Sequence, residues 1–287
     1  AASITGCAAT RTHVSARGSE TVAIPFALSQ QNNIVVEVRI NDSHLLNLML
    51  HSASSDVTLT EEAVRRLEDL TLGETTRVQS WGGTSDSRYS TGNRLRIGSL
   101  TRDSVTLWEN KHSGEGTDGK FGLDFFGDSV VEIDYDDGLI IVHDQLPGKA
   151  RDYEAIDISN EDGELYVEGV CLFGNETRAN RFLIHSGYAG GLLLDDAFAA
   201  SSGIDGKIAI TETCRLTNCY GHVIKVQKGV MPGFSLGRLR LSDVSVGFFS
   251  GEIGRQKKSV LGGEILKRFN LIFDLGHNRL YIKRRST

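Results

Sequence analysis

Two histidines, His51 and His185, are the residues of this 287-residue chain that are best suited, by type and sequence context, to a catalytic or ligand-binding role. Each follows an apolar run and precedes a serine and a turn of small residues, in segments 48–55 and 182–191. A neutral imidazole can accept or donate a proton, form hydrogen bonds or bind a transition metal, and it titrates near ~6.5. The sequence therefore indicates a site to which each half of the chain contributes one histidine.

The elements around the two histidines form an internal repeat. In each half, a strand leads into the histidine loop, a short helix and two strands follow, and an apolar motif and a last strand close the half. The corresponding segments are 34–40, 60–70, 95–100, 105–108, 119–126 and 131–135, and then 165–170, 195–200, 239–241, 244–246, 259–266 and 271–275. The offset is 134 residues between the histidines and 140 between Asp134 and Asp274, which is typical of a duplicated domain.

Both histidine loops resemble the active-site loop of pepsin-like and retropepsin-like aspartic proteases, with histidine at each catalytic Asp position. The resemblance covers about residues 30–285 and is greatest to bacterial two-lobed proteins of this type. It implies a mostly β, two-lobed aspartic-protease fold in which each lobe is a β-barrel-like unit with a short helix. We expect an N-terminal tail or tether at 1–20, an N-terminal lobe at 21–148 and a C-terminal lobe at 149–287.

In that family, one Asp from each lobe meets its partner at a pseudo-two-fold axis and the pair activates a water molecule. The resemblance places His51 and His185 at this point of the inter-lobe cleft, with Ser52 and Ser186 bracing the loops. Two imidazoles in contact should share at most one proton at neutral pH. A singly protonated histidine pair is positive where the aspartate pair is negative, so we do not expect standard aspartic endopeptidase activity.

Four interpretations of the site remain open. The first is a decayed centre whose residues serve only in packing, and the second is a former protease that binds a peptide or small molecule. The third is a transition-metal site, and the fourth is a hydrolase that uses the histidine pair. Zinc, copper or nickel would suit neutral imidazoles, and His222 is the candidate third ligand. We favour non-proteolytic ligand, peptide or metal binding; a peptidase with a histidine dyad or a histidine-bound metal is the alternative.

Other residues are candidates for the walls of the cleft. Trp81 lies between polar residues and glycines at the expected first-lobe flap, and Tyr188 follows the second histidine loop, so both are candidates for ligand binding. The second loop keeps the small glycine of the family at Gly187, whereas the first has Ala53 at that place. We expect this alanine to reshape the first loop.

The composition limits the partners. A net charge of -6 argues against nucleic acid, which requires a basic surface. Residues 4–9 resemble a bacterial lipobox whose Cys7 would carry the lipid, which predicts a periplasmic protein that contacts the membrane only through this anchor. Cys214 and Cys219 would form a small disulfide loop or stay as free thiols, and Cys171 is expected in the core.

Overall fold

The computed structural model describes residues 21–41, 45–80, 83–217, 223–249 and 256–286. Four residues with predicted roles lie outside these ranges: Cys7, Trp81, Cys219 and His222. Lipidation of Cys7, ligand binding by Trp81, a disulfide that includes Cys219 and metal binding by His222 therefore stay predictions. The periplasmic location is likewise a prediction from the lipobox alone. In the described ranges, no helix combines the length and apolar character that a membrane span requires.

The described residues are mostly β, in agreement with the expected fold class. The strands of the first half are β1 (Val22–Pro25), β2 (Ala27–Leu28), β3 (Ile34–Ile40), β4 (Leu45–Leu50), β5 (Val57–Thr60), β6 (Thr75–Ser80), β7 (Gly83–Ile97), β8 (Leu100–Asn110), β9 (Gly119–Phe121), β10 (Val130–Asp134) and β11 (Leu139–His143). Those of the second half are β12 (Glu154–Glu161), β13 (Glu164–Phe173), β14 (Glu176–His185), β15 (Leu192–Leu193), β16 (Ile210–Thr217), β17 (Val223–Leu236), β18 (Leu239–Phe249), β19 (Ser259–Gly262), β20 (Phe269–Asp274) and β21 (Arg279–Arg284).

The helical elements are short. They are α1 (Glu61–Arg65), α2 (Asp196–Ser202) and α3 (Gly263–Leu266), together with 3-10 turns at Leu123–Phe126, Gly148–Asp152, Ile204–Gly206 and Leu275–His277. Thr60 and Asp195 are the N-caps of α1 and α2, and their side chains accept hydrogen bonds from the N–H groups of Ala63 and Phe198.

The predicted helix at 60–70 is too long. The α-helix ends at Arg65, and the chain continues in tighter turns in which the N–H groups of Leu67 and Leu70 bond to carbonyls three residues earlier. These turns bring Leu67 into the hydrophobic core, where it is 6% exposed. Tertiary packing of one leucine therefore overrides the local preference for a longer helix.

Each half folds around the same pattern of strand pairing. In the first half β4 pairs with β3 and β9, and β5 pairs with β9 and β8. In the second half β14 pairs with β13 and β19, and β15 pairs with β19 and β18. Further antiparallel pairs, β3 with β7 and β13 with β17, curl each half into a barrel-like unit.

The two halves are joined by a sheet to which both contribute. Within the described residues its order begins β1-β11-β10-β20-β21-β12 and continues through β13 into the second half. The closing strands β10 and β20 pair antiparallel where the two halves meet. Asp134 and Asp274 end these two strands. The Asp134 carboxylate accepts two backbone N–H bonds in the next turn, and that of Asp274 contacts the His277 ring. Each carboxylate thus stabilises the turn that follows its strand.

Candidate functional site

The two histidines stand at equivalent points, at the ends of β4 and β14. The carbonyl of His51 accepts the N–H of Ser54 at 3.1 Å, and the carbonyl of His185 accepts the N–H of Tyr188 at the same distance. Both loops therefore make the same tight turn. The N–H of His51 donates to the carbonyl of Phe121 at 2.9 Å, which ties the first loop to β9.

Ser52 and Ser186 lock the two loops together in a reciprocal arrangement. The Ser52 N–H donates to Ser186 Oγ and the Ser186 N–H donates to Ser52 Oγ, both at 3.0 Å. Each hydroxyl then donates across the interface, Ser52 to the carbonyl of Ile184 at 2.7 Å and Ser186 to that of Leu50 at 2.6 Å. All four groups are buried, so the loops are positioned by bonds that are costly to leave unmade.

The imidazole rings meet across the interface between the halves. Their centroids are 4.4 Å apart and their planes are inclined by 58°. His51 lies against the α-carbon of Gly187, where a β-carbon would come within 2.3 Å of Cδ2 of the ring. In the first loop the equivalent position holds Ala53, which packs against an apolar cluster of the second half. Gly187 therefore leaves room for the imidazole ring of His51. Ala53, at the equivalent position of the first loop, instead packs against the second half.

Both imidazoles are held in the uncharged form. Burial lowers the pKa of His51 well below its usual value, and the positive charge of Lys120 and the neighbouring His185 lower it further. Burial and Lys120 lower the pKa of His185 to about 4, against a smaller opposing effect of Glu164. At neutral pH both rings are therefore neutral. The sequence allowed the pair at most one positive charge, and here it carries none.

Each ring keeps one nitrogen without a partner. Nδ1 of His51 and Nδ1 of His185 are buried and have no hydrogen-bond partner among the described residues. An unpaired polar atom in such a place costs about 1–3 kcal/mol, which a ligand or a metal ion could recover. Within the described ranges, no group of three or more His, Cys, Asp or Glu side chains is arranged to hold a metal. The histidines alone would supply two ligands.

Comparison with known proteins agrees with this geometry. A family model described as aspartyl protease matches residues 36–125, which include β4, the first histidine loop and β9. The aspartic proteinase from Irpex lacteus superposes with a TM-score of 0.60 at 15% identity, over 93% of this chain and 98% of that one. The fold is that of an aspartic proteinase. No curated protein matches the chain in sequence.

Three further residues singled out in the sequence, Tyr188, Cys171 and Cys214, have different surroundings in this aspartic-proteinase fold. Tyr188 packs with the apolar cluster of the second half, over the α-carbons of Gly190, Gly247 and Gly262, and burial raises the pKa of its hydroxyl far above the usual value. Its side chain therefore packs within the second half while staying half-buried, and its role in ligand binding stays a prediction. Cys171 is fully buried as expected, and Cys214 is a free thiol.

Lys120 is the residue that the sequence did not point to. It lies at the centre of β9, paired with Met49 of β4 and Thr58 of β5, and its charge acts on both imidazoles. The available signal was the order Gly119-Lys120-Phe121, in which a lysine stands inside an otherwise apolar closing motif. The corresponding residue of the second half is Val260.

Proposed function

We propose that His51 and His185 occupy the catalytic Asp positions of the aspartic-proteinase fold, and that the protein binds a peptide-like ligand between its lobes without cleaving it. The observation that carries this proposal is the contact of two uncharged imidazoles, that of His51 buried and that of His185 half-buried, across the reciprocal hydrogen bonds of Ser52 and Ser186, the serine lock. The serine bonds hold both loops in register, and each ring keeps a buried, unpartnered Nδ1 that a ligand could bind. The framework is that of a working site with different chemical groups.

The charge of the centre argues against the chemistry of an aspartate pair. A pair of carboxylates sharing one proton needs a site that tolerates a negative charge and gives one carboxylate the strength of a base. Here the two rings are neutral, and the largest charge acting on both of them is the positive charge of Lys120. Neutral imidazoles at this point can donate and accept hydrogen bonds with a peptide, which is a binding role.

The proposal is tested with a defined library of capped hexapeptides at pH 3–8. We expect wild-type protein to retain a subset of peptides intact, with no new termini in mass spectrometry. The variant His51→Ala/His185→Ala should lose at least about tenfold in affinity for that subset, since the loss of one good hydrogen bond to a buried group is worth about 1.4 kcal/mol or more.

His51→Gln/His185→Gln is the matched control, because glutamine keeps a neutral donor and acceptor and should retain part of the affinity. Pepstatin-sensitive cleavage at acid pH would refute the non-proteolytic role. Equal retention by the alanine variant would show that the histidines do not take part in binding. Circular dichroism of each variant verifies that the fold is kept.

A second function, metal binding, is favoured by one specific observation. The two unpartnered Nδ1 atoms lie on rings in contact, and neutral imidazole nitrogen is a common ligand for zinc, copper and nickel. A third ligand would have to come from a residue such as His222. Elemental analysis of protein purified without chelators should then give close to one transition metal per chain, lost in His51→Ala and in His185→Ala. Metal-free wild type that takes up no zinc on dialysis ends this alternative.

A further inference from the structure

A thiol and an amine lie side by side on two neighbouring strands of the second half. Strands β16 and β17 run antiparallel, and Cys214 pairs with Val226 while Glu212 pairs with Lys228. Because residues two apart on a strand share a face, Cys214 and Lys228 are diagonal neighbours on one face of this pair. Val226 belongs to the apolar cluster of the second half, and Cys214 packs against that cluster. The thiol and the amine therefore lie at its border.

The side chain of Lys228 is in contact with the sulfur atom. Partial burial opposes the charge of Lys228, yet the Cys214 sulfur and the Glu212 carboxylate act on it through charge and hydrogen bonds and raise its pKa above the usual value. Lys228 Nζ lies 3.4 Å from Glu212 Oε2, and Glu212 is exposed. Both Cys214 and Lys228 are half-buried, so the sulfur and the amine are held together within reach of small solutes.

Gly247 of β18 leaves room beside this pair. It pairs with Lys228, and a β-carbon on it would come within 3.0 Å of Val226 and within 3.4 Å of the Tyr188 hydroxyl. Burial raises the pKa of that hydroxyl, and the charge of the Cys214 sulfur raises it further. The thiol, the amine and the phenol therefore lie around one residue that has no side chain.

The first half has different residues at the corresponding positions. The parallel pairing of β5 with β8 and of β15 with β18 shows that Trp108 corresponds to Gly247. Tyr89 pairs with Trp108 as Lys228 pairs with Gly247, and the two aromatic rings are in contact with centroids 5.0 Å apart. By the same register, Thr76 corresponds to Cys214. The contact of a thiol with an amine is thus a feature by which the second half has diverged from the first.

We propose that Cys214 and Lys228 form a redox-controlled modification site, in which a peroxide converts the thiol to a sulfenic acid and the lysine amine then closes a sulfur–nitrogen crosslink. A sulfenic acid condenses with a neighbouring thiol or nitrogen atom. At Cys214 the nitrogen of Lys228 is already in contact with the sulfur before oxidation. The site is separate from the histidine pair.

The two steps need the peroxide as the sole oxidant. In the first step, the sulfur gives two electrons to the O–O bond; one oxygen stays on the sulfur as the sulfenic acid, and the other leaves as water or an alcohol. In the second step, the Lys228 ammonium gives a proton to solvent, its lone pair forms the S–N bond, and the S–O bond breaks with loss of water. A small thiol reverses the crosslink by attacking the sulfur and releasing the amine.

The crosslink would fasten a strand that lies close to both histidine loops. Among the described strands, β16 lies at the edge of its sheet, next to β17. Ala53 of the first histidine loop and Tyr188 of the second pack against the same apolar cluster as Cys214. A covalent bond between β16 and β17 opposes local opening of this edge, so oxidation should slow amide hydrogen exchange in β16.

The test is peptide mapping of the full chain after treatment with a small excess of hydrogen peroxide at about pH 8, where more of the lysine is uncharged than at neutral pH. Trypsin cuts after Arg215 and Lys225, so the crosslink should join peptides 208–215 and 226–238. The mass of the joined pair should be about 2 Da below the sum of the two peptides, and a thiol reductant should separate them. In the oxidised protein, exchange of the β16 amides should slow by about threefold or more and recover on reduction.

Two lysine variants assign the crosslink to its amine. Lys228→Arg keeps the positive charge but removes the amine, so it should give no joined peptides and only added oxygen on Cys214. Lys225→Arg is the matched control, because Lys225 is exposed and pairs with Arg215, on the face opposite to Cys214. It should change the yield of crosslink by less than about twofold.

Three results would overturn the proposal. The first is oxidised wild type with oxygen on Cys214 and an unmodified Lys228, and the second is an equal yield of crosslink in Lys228→Arg. The third is a disulfide between Cys214 and Cys219, which trypsin would reveal as peptide 208–215 joined to 216–225. Cys219→Ser should leave the sulfur–nitrogen crosslink at the wild-type yield, since the sulfur of Cys219 takes no part in it.

Discussion

Replacing Ser186 with alanine is expected to lower the free energy of unfolding by about 2–5 kcal/mol. The Ser186 hydroxyl accepts the Ser52 N–H and donates to the Leu50 carbonyl, and both partners are buried at the junction of the halves. Alanine leaves the two groups without a bond in a place that water does not reach, at about 1–3 kcal/mol each. Urea unfolding followed by circular dichroism measures the loss.

Two controls show whether the loss belongs to the serine lock. Ser201→Ala removes an exposed hydroxyl that bonds to the Phe198 carbonyl at 3.3 Å, and it should change stability by no more than about 0.5 kcal/mol. In a double-mutant cycle, Ser52→Ala and Ser186→Ala should be strongly non-additive, because they break the same network. A wild-type unfolding midpoint for Ser186→Ala would mean that the reciprocal bonds contribute nothing to stability.

The serine lock also shows how much of the site could be predicted from the sequence. His-Ser occurs three times, but only the pairs at 51–52 and 185–186 follow an apolar run. These two pairs are 134 residues apart, and the two serines that bond across the interface have this same spacing. The caps Thr60 and Asp195 could be found in the same way, since a short polar side chain before a helical stretch is a local signal. Repeated and local features were therefore predictable.

The face of β9 on which Lys120 lies could not be inferred from the sequence, for a physical reason. Lys120 lies in β9, a strand of three residues, and so short a strand shows no alternation from which its face could be inferred. Its strand partners Met49 and Thr58 become its neighbours only through parallel and antiparallel pairing. These contacts depend on the three-dimensional fold alone. The same is true of the neutral state of the histidines, which burial determines.

That neutral state predicts a loss of stability in acid. In the unfolded chain each histidine binds a proton below ~6.5, whereas in the folded protein the pKa of His185 is about 4 and that of His51 is also lowered. Between these values the unfolded state binds more protons, so the free energy of unfolding falls as the pH decreases. The stabilisation is present above pH ~6.5, and His185 alone accounts for a loss of about 2–3 kcal/mol by pH 4.5.

Carboxyl groups titrate over part of the same range, so the histidine contribution is measured as a difference. His185→Gln is neutral at every pH and keeps a hydrogen-bonding side chain, while all carboxyl groups stay as they are. Urea unfolding at pH 7 and pH 4.5 should show that wild type loses about 2–3 kcal/mol more than this variant. His143→Gln tests the specificity of the effect, since His143 lies at the end of β11 against Glu132, away from the pair. Equal losses in wild type and His185→Gln would mean that the half-buried imidazole of His185 accepts a proton in the folded state as readily as in water. The neutral centre on which the proposed function relies would then be wrong.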